Sequence, residues 1–536
     1  MSIYSPSFEQ LIAGLVAKDY NVNENITSQL ERDYPGQALS HLRAVLQDQA
    51  ARSENRAGAV RGLGRLKEKQ GVPILIAALA DGDAEVRKEA ARFLAPMRDA
   101  RAVEPLVTLL NDPRPDVRLA AITPLGRHLF DPRAAGVLLH FLEIAEAEQR
   151  PAVLTALSKS DDEQVMSAVI ARLKGKHADD LATYIELVLR KDEFAPDPAR
   201  KVQLLAQLQK QGAIRSMLAE LRHADPQVRA RPASLLGQLE APLALHTLTA
   251  ALQDESVPVR LQAVDALSKL RDDGASEALS MALHDKDTRV LVRCVDALAA
   301  LHDMRALPGL LIALAHRVVE VRRRAAYALG SYEHPLAAST LLHAITDPDA
   351  QVRCNIAYAL GRIGDPQADS QVVDALVARL EDTEPEARAQ AANALGELGD
   401  ERAVSPLCRA LQDSDPLVIR AVVLALGQLG DSAVSEDLLE ILHVASAPPV
   451  DRTWQAVQES AIYALGQLGG PQATSALWHL LEQPNQPGHL LCMTIDALEK
   501  SSEQYVIEIL AVLLDHRNAA VRRRAQQALE TWMYVK

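Results

Sequence analysis

Arginine and aspartate recur in this sequence at fixed distances from one repeated leucine, and these side chains could form ion pairs between successive repeats. An arginine stands seven residues before the leucine, and an aspartate stands thirteen or eleven residues before it. We expect the carboxylates at helix N-termini, where capping and the helix dipole favour them, and the guanidinium groups one turn further on. The predicted chemistry is a structural ladder. Its clearest members are Arg87, Arg118, Arg229, Arg260, Arg322, Arg353, Arg388, Asp112, Asp254, Asp347, Asp382 and Asp413.

The arginine position of this ladder is taken by other residue types in several repeats. They are Leu291, Ile419, Gln458 and Leu491. The C-terminal third is therefore the less regular part of the chain, and a specialised surface is expected there.

Three tyrosines share one repeat position and form the first candidate binding feature. Tyr327, Tyr358 and Tyr463 each stand two residues before the repeated leucine. Tyr327 and Tyr358 belong to adjacent units, so their rings could stack. Two interpretations stay open: the tyrosines pack within their repeats, or they form an aromatic strip that receives a partner protein.

The second candidate feature is the densest cluster of arginines. Arg317, Arg323 and Arg324 lie close to the ladder members Arg322 and Arg353. These side chains either point into solvent or dock an acidic segment of a partner. They are too few and too isolated to predict a track for DNA.

No motif for catalysis, metal binding or cofactor binding occurs in the sequence. There is no H-E-x-x-H motif, no P-loop, no G-x-S-x-G motif and no G-x-G-x-x-G motif after a strand. The cysteines, Cys294, Cys354, Cys408 and Cys492, are dispersed, which predicts neither a disulfide framework nor a zinc site. We therefore predict no catalytic residue, no metal and no cofactor. The cysteine pattern favours a reducing, cytoplasmic compartment.

The composition favours a helical protein that binds other proteins. The 536 residues carry a net charge of −14, whereas a nucleic-acid-binding face needs an excess of basic residues. Hydrophobic residues make up 48 % of the chain but aromatic residues only 3 %, so the core must consist of Leu, Ala and Val. No stretch approaches the ~20 apolar residues of a transmembrane helix, and the N-terminal residues lack the pattern of a signal peptide.

A leucine register positions all of these residues. Steps of 31 residues predominate, with longer steps of 35, 39 and 33 near the C-terminus, and Leu157 stands one residue out of register. The register gives about fifteen repeats. Its leucines are Leu63, Leu94, Leu125, Leu157, Leu205, Leu236, Leu267, Leu298, Leu329, Leu360, Leu395, Leu426, Leu465, Leu498 and Leu529.

The unit around Leu360 shows how one repeat is built. Val352, Ile356, Leu360 and Ile363 fall on one face of a helix, and Gly364 is expected to end it. A second apolar helix follows and ends near Leu380. Since one helix pair cannot bury its own apolar face, the pairs must stack on one another.

The string D-x-x-x-x-V-R-x-x-A-A-x-A-L-G-x-L-G-D resembles the short HEAT-like repeat of the phycobilisome-lyase type, from about residue 51 onward. The resemblance implies an all-α fold: a right-handed α-solenoid superhelix of about fifteen HEAT-type helix-pair repeats with a period of about 31 residues. We predict capping helices in 1–50, repeats in 51–157, degenerate repeats or a hinge in 158–200, and repeats in 201–536. Loop insertions are expected near 365–372, 443–454 and 483–489.

The insertion at 443–454 is a third candidate binding feature. Its Pro-Pro loop lies beside Arg452 and Trp454 on a polar scaffold, which is typical of a partner contact. A tolerated surface insertion explains the same residues equally well.

Two functions follow from these observations. The first is a non-catalytic scaffold or adaptor that holds a partner protein on a concave surface lined by the second helices and on the loops. The second comes from the resemblance: phycobilin lyases attach, remove or isomerise a linear tetrapyrrole, and would need a deep pocket with several aromatic side chains. The low aromatic content favours the scaffold. We predict a protein partner and no nucleic acid, and the sequence does not indicate an oligomeric state.

Overall fold

The chain folds into α-helices joined by short turns, some of which are single 3-10 turns. The computed structural model describes residues 10–11, 26, 29, 37–48, 50–66, 71–174, 177–190, 198–270, 272–332, 334–364, 370–445, 452–483, 486–500 and 505–535. Among these residues there is no β-strand. The predicted all-α, HEAT-type solenoid is confirmed.

The chain divides into two compact units, Met1–Thr247 and Leu248–Lys536. In each unit the helices form two layers. We call the helices of the leucine register anchor helices and the others second helices.

In the first unit the anchor helices are Ser53–Leu66, Ala84–Leu94, Pro115–Leu125, Arg150–Leu157, Ala178–Leu189 and Pro226–Gln238. Its second helices are Ala38–Gln47, Val72–Ala78, Val103–Leu109, Pro132–Ile144, Glu163–Leu173, Pro198–Lys210 and Ala213–Glu220. The helix Leu245–Ala251 contains the boundary between the units.

In the second unit the anchor helices are Val257–Leu270, Thr288–Leu301, Val319–Leu329, Ala350–Ile363, Pro385–Leu398, Pro416–Leu429, Arg452–Leu468, Gly488–Glu499 and Ala519–Val535. Its second helices are Asp273–Met281, Leu307–Leu314, Pro335–Ala344, Ser370–Arg379, Val404–Ala410, Ser435–Ala445, Gly470–Glu482 and Val506–Val512.

The apolar face of each anchor helix is the core of its repeat. In the helix Ala350–Ile363, the side chains of Val352, Ile356 and Leu360 are fully buried. Burial of such a side chain contributes about 1.5–3 kcal/mol relative to exposure. The N-cap Asp349 accepts a hydrogen bond from the backbone N–H of Val352 at 3.0 Å, which fixes where the helix begins.

Adjacent anchor helices of the second unit come close because a glycine meets an alanine. Gly361 follows Leu360, and a Cβ built on it would lie only 2.8 Å from Cα of Ala394. A Cβ on Gly396 would lie at the same distance, 2.8 Å, from Cα of Ala425. Glycine is therefore required after the register leucine wherever the two backbones approach in this way.

The prediction that Leu205 belongs to the leucine register was wrong. Leu205 is half-buried, and its helix, Pro198–Lys210, packs against the second helix Glu163–Leu173. The place in the anchor layer belongs to Ala178–Leu189, whose Thr183 accepts a hydrogen bond from Arg231 at 3.0 Å. A period in the sequence gives the spacing of helices but does not say in which layer a degenerate helix lies.

The predicted insertions coincide with residues that the structure leaves out. Residues 365–369, 446–451 and 484–485 lie outside the described residues, as do 191–197 and most of 1–36. Residues 370–372, which the prediction included in the first insertion, belong to the second helix Ser370–Arg379.

Candidate protein-binding face

The arginine–aspartate ladder consists of two-pronged ion pairs between successive repeats. Arg87 donates from Nε to Oδ2 of Asp112 at 2.6 Å and from Nη2 to Oδ1 at 3.0 Å. Its Nη1 donates to the backbone carbonyl of Asp81 at 2.8 Å. The same geometry recurs in the pairs Arg56–Asp81, Arg260–Asp285, Arg322–Asp347, Arg353–Asp382 and Arg388–Asp413.

For three further members of the predicted ladder the structure gives the following contacts. Arg118 pairs with Glu146 at 2.9 Å. Arg229 donates from Nη1 to the carbonyls of His223 and Ala224, both at 2.7 Å. The carbonyl of Asp254 accepts from Nη1 of Arg260 at 2.9 Å.

The ladder aspartates Asp347, Asp382 and Asp413 each stand two residues before a helix N-cap, whereas the sequence indicated that they would be the N-caps. Asp225, eleven residues before Leu236, is an N-cap as the sequence indicated. Asp347 stands two residues before the N-cap Asp349, and its Oδ1 accepts from the backbone N–H of Asp349 at 2.9 Å. The aspartate thus shapes the turn while binding an arginine of the previous repeat.

Burial is the largest single influence on the pKa of Asp382 and would raise it. The hydrogen bonds from Arg353 and from the backbone N–H of Glu384, together with the positive charges of Arg353 and Arg379, outweigh burial and hold the pKa below its ordinary value.

Tyr327 and Tyr358 stack on the surface of the anchor layer. Their ring centroids are 5.3 Å apart and the planes differ by 7°. Tyr327 is 59 % exposed and Tyr358 is half-buried. Arg362 lies over the ring of Tyr358 at 5.8 Å and donates to its hydroxyl at 3.1 Å.

Tyr463 presents a second exposed ring further along the same layer. It is 50 % exposed, and Nζ of Lys500 lies 5.0 Å from the ring centroid. The three tyrosines therefore lie on anchor helices, whereas the sequence interpretation had placed the binding surface on the second helices.

The arginine cluster is largely neutralised by carboxylates. Arg323 binds Asp349 through Nε and Nη2 at 2.8 and 2.7 Å. This bond is the main reason that the pKa of Asp349 falls to about 2. Arg324 pairs with Asp296 at 2.9 Å and with Glu320 at 3.0 Å. Arg317 is exposed and forms no ion pair with another described residue.

A second set of ion pairs escaped the sequence analysis. It joins an aspartate two residues before one register leucine to an arginine five residues before the next, as in Asp296–Arg324. Comparing these two repeat positions in adjacent units would have revealed it. The other pairs of this surface set are Asp265–Arg293 and Asp496–Arg524.

Between the pairs Asp296–Arg324 and Asp496–Arg524, no charged residue of the second unit stands two residues before a register leucine or five residues before the next one. We call the surface at these positions the uncharged strip. Its position two residues before the leucine holds Tyr327, Tyr358, Asn393, Leu424 and Tyr463. The facing position, five residues before the next leucine, holds Asn355, Gln390, Ala421, Ser460 and Met493.

Trp454 and Arg452 begin the anchor helix Arg452–Leu468. Trp454 is half-buried and Arg452 is exposed. The loop before them lies outside the described residues, so their role as a partner contact stays a prediction.

The cavity beside the strip does not resemble a catalytic site. It has a volume of about 590 Å³, is open to solvent, and is lined by Asp296, Arg323, Arg324 and Asn355, with Tyr327 as its aromatic residue. Across the described part of the chain, no group of three or more His, Cys, Asp or Glu side chains could hold a metal ion. Within that part, no helix is long and apolar enough to cross a membrane.

Family models and known structures agree with this architecture. Residues 39–123, 103–190, 214–299, 307–376 and 373–456 match the model for HEAT repeats, and residues 457–483 match the PBS lyase HEAT-like repeat. The chain therefore belongs to the HEAT repeat family.

Individual relatives are more distant. The bilin biosynthesis protein PecE of Mastigocladus laminosus is 46 % identical over 72 residues, which is 13 % of this chain and 27 % of PecE. Kap121p superposes with a TM-score of 0.57 at 12 % identity, covering 94 % of this chain and 57 % of Kap121p. The complex of Kap121p bound to Nup53p gives a TM-score of 0.54 at 11 % identity over 95 % of this chain and 58 % of that one. At such identities the solved structures show the fold alone, and the chain spans little more than half of Kap121p.

Proposed function

We propose that this chain is a non-catalytic scaffold or adaptor that holds a partner protein on the anchor layer of its second unit. The observation that carries the proposal is the exposed stack of Tyr327 on Tyr358 within the uncharged strip. Aromatic rings offer a large apolar area with a polar tip, and they are enriched at protein interfaces. Arg323 and Arg324 pair with carboxylates of the protein, which leaves the aromatic surface as the more available feature for a partner.

The cytoplasmic location and the lack of nucleic-acid binding stay predictions from the composition. The net charge of −14 repels polyanions, which supports the prediction that the scaffold does not bind nucleic acid.

Affinity capture from a native lysate of the source organism tests the scaffold. The tagged wild-type chain is compared with the variant Tyr327→Ala/Tyr358→Ala/Tyr463→Ala by quantitative mass spectrometry. Loss of an aromatic anchor typically costs about 2 kcal/mol or more, so we expect recovery of the partner to fall at least about tenfold.

A matched control removes apolar side chains of similar exposure from the other layer. Met281, Met304 and Ile312 are all about half exposed and lie in or next to second helices. The variant Met281→Ala/Met304→Ala/Ile312→Ala should retain the partner. Equal recovery with the tyrosine variant would sink the proposed binding face.

A bilin lyase or chromophore chaperone is the second candidate. The short similarity to PecE and the PBS lyase HEAT-like match at 457–483 favour it. The cavity at Tyr327 offers one aromatic side chain, which counts against a bound tetrapyrrole. Mixing the chain with a free linear tetrapyrrole should leave the visible absorbance spectrum of the pigment unchanged, and a shifted band would favour this second candidate.

A further inference from the structure

The centre of the uncharged strip contains two carboxamides without a hydrogen-bond partner among the described residues. Gln390 and Asn393 lie three residues apart on the helix Pro385–Leu398, so their side chains share one face. Both are half-buried. Each keeps two N–H donors and one carbonyl acceptor free for a ligand.

Along the same strip, these two amides lie between the side chains of Tyr358 and Leu424. Tyr358 occupies the equivalent position in the preceding repeat and Leu424 in the following repeat. The next amide along the strip, Asn355, is already engaged, because its Nδ2 donates to the carbonyl of Arg323 at 2.8 Å and its Oδ1 accepts from Gln351 at 3.1 Å. The free hydrogen-bonding capacity is therefore concentrated at Gln390 and Asn393.

We infer that the uncharged strip binds an extended, uncharged segment of a partner polypeptide, with Gln390 and Asn393 bonding to its backbone. The inference rests on the proposed function and adds the chemistry of the segment. A carboxamide presents a donor and an acceptor side by side, which matches the N–H and C=O of a peptide group. An extended chain has such groups free, whereas a helix has already used them.

The spacing of the strip fits an extended chain of about a dozen residues. From Tyr327 to Tyr463 the strip covers four helix-to-helix steps of about 10 Å each, and an extended chain advances about 3.4 Å per residue. Successive steps of the strip therefore meet about every third residue of the ligand.

The lack of charge along the strip sets the composition of the ligand. A charged side chain would lose water against tyrosine, amide and aliphatic groups without a free counter-ion at the strip's own positions. Arg323 and Arg324 are already paired, and the nearby cations Arg362 and Lys500 lie over the rings of strip tyrosines. The expected ligand is therefore an uncharged segment and not the acidic segment that the arginine cluster suggested. An uncharged ligand also predicts binding that depends little on salt, because no ion pair forms across the interface.

Random twelve-residue peptides displayed on phage and panned on the full-length chain test the inference. We expect enriched sequences without charged residues and with aromatic or aliphatic side chains about every third position. A synthetic copy of the best peptide should bind Asn393→Ala and Gln390→Ala about fivefold to tenfold more weakly than the wild type, the loss of one hydrogen bond.

Gln262→Ala is the matched control. Gln262 is half-buried and holds the same repeat position as Gln390, but lies beside Asp265, outside the strip. It should bind the peptide like the wild type. The inference would be overturned by enrichment of charged sequences, or by a peptide that is helical when bound. Equal affinity of the peptide for Gln390→Ala, Asn393→Ala and Gln262→Ala would also overturn it, as would panning that enriches no more peptide on the wild type than on Tyr358→Ala.

Backbone methylation separates hydrogen bonding to the peptide group from side-chain contacts. N-methylation of the ligand amide that faces Asn393 should weaken binding to the wild type about fivefold and leave binding to Asn393→Ala nearly unchanged. Equal losses with both proteins would argue against backbone recognition. The scaffold itself fails only when the triple tyrosine variant retains its partner, so the two failures are distinguishable.

Discussion

Arg353 holds the carboxylate of Asp382 through two parallel hydrogen bonds, from Nε to Oδ2 at 2.7 Å and from Nη2 to Oδ1 at 2.6 Å. The aspartate side chain is only 2 % exposed. The third contact of Arg353 runs from Nη1 to the carbonyl of Asp347 at 2.9 Å. Arg353 thus joins the turn before its own helix to the turn before the next anchor helix, and the ladder is part of the scaffold.

Removing the arginine from this buried pair should be strongly destabilising. Arg353→Ala removes both short hydrogen bonds to the buried Asp382 carboxylate and leaves only Arg379, at 3.3 Å, as an ion-pair partner among the described residues, so we expect a cost at the lower end of about 3–5 kcal/mol. Urea denaturation followed by far-UV circular dichroism measures the loss. Replacing both residues, as Arg353→Met/Asp382→Leu, should cost much less, because no buried charge remains.

The exposed pair Arg402–Asp400 is the control for this prediction. Its arginine is 48 % exposed and screened by solvent, so Arg402→Ala should lower the urea midpoint far less than Arg353→Ala. Equal effects of Arg402→Ala and Arg353→Ala would contradict the distinction between the two kinds of pair.

Stability should fall in acid as Asp349 is protonated. The pKa of Asp349 is lowered to about 2, mainly by the hydrogen bonds from Arg323, whereas an aspartate of the unfolded chain titrates near about 3.9. A lowered pKa stabilises the fold above the unfolded value, and this stabilisation is lost as pH falls from about 4 to about 2. The urea midpoint of the wild type should drop over this range.

Asp349→Asn tests which group is responsible. The variant should be less stable at pH 6 and should show a shallower decline between pH 4 and 2. Glu401→Gln, which alters an exposed carboxylate without an ion pair to another described residue, should keep the wild-type slope. An unchanged slope in Asp349→Asn would assign the acid sensitivity to other carboxylates.

Gly361→Ala should destabilise the second unit although alanine favours helix. The new Cβ would lie 2.8 Å from Cα and 2.9 Å from Cβ of Ala394, so the helices must move apart. Overpacking of this kind costs about 1–3 kcal/mol, more than the gain of up to about 1 kcal/mol in helix propensity. Urea denaturation should show the net loss, and Ala394→Gly in the same chain should restore part of it.

Gly136→Ala is the opposite case. Gly136 lies inside the helix Pro132–Ile144, and a Cβ there would meet nothing within 4 Å. This variant should be more stable by about 0.5–1 kcal/mol, because alanine favours helix without a clash. A stabilising Gly361→Ala would show that the anchor helices are not packed as tightly as the structure indicates.

The sequence predicted the features that repeat, and missed those that depend on neighbouring repeats. The apolar face with Leu360 and the arginine column followed from spacing alone. The partners of Arg323 and Arg324 stand 26 and 28 residues away on other repeats, so their charge compensation needed the structure. Leu205 was misplaced for the same reason, since a degenerate helix keeps its apolar period in either layer.

Extending the surface ion pairs through the uncharged strip should abolish partner binding without unfolding the chain. The double variant Tyr358→Asp/Gln390→Arg introduces an aspartate and an arginine two repeats after Asp296 and Arg324, at the same register positions as that existing pair. An exposed pair contributes about 0–1 kcal/mol, so the urea midpoint should change little. Recovery of the partner should fall at least about tenfold, because the aromatic contact is lost and two charges would have to be desolvated.

The reverse exchange outside the strip completes this test. Asp265→Asn with Arg293→Gln removes an existing surface pair and leaves the tyrosines intact, so the partner should be retained as by the wild type. Both variants are compared in the same affinity capture, with circular dichroism as the check on folding. Retention of the partner by the charged variant would place the binding surface elsewhere. Loss of the partner from both variants would mean that the partner also contacts the ion pairs that border the strip.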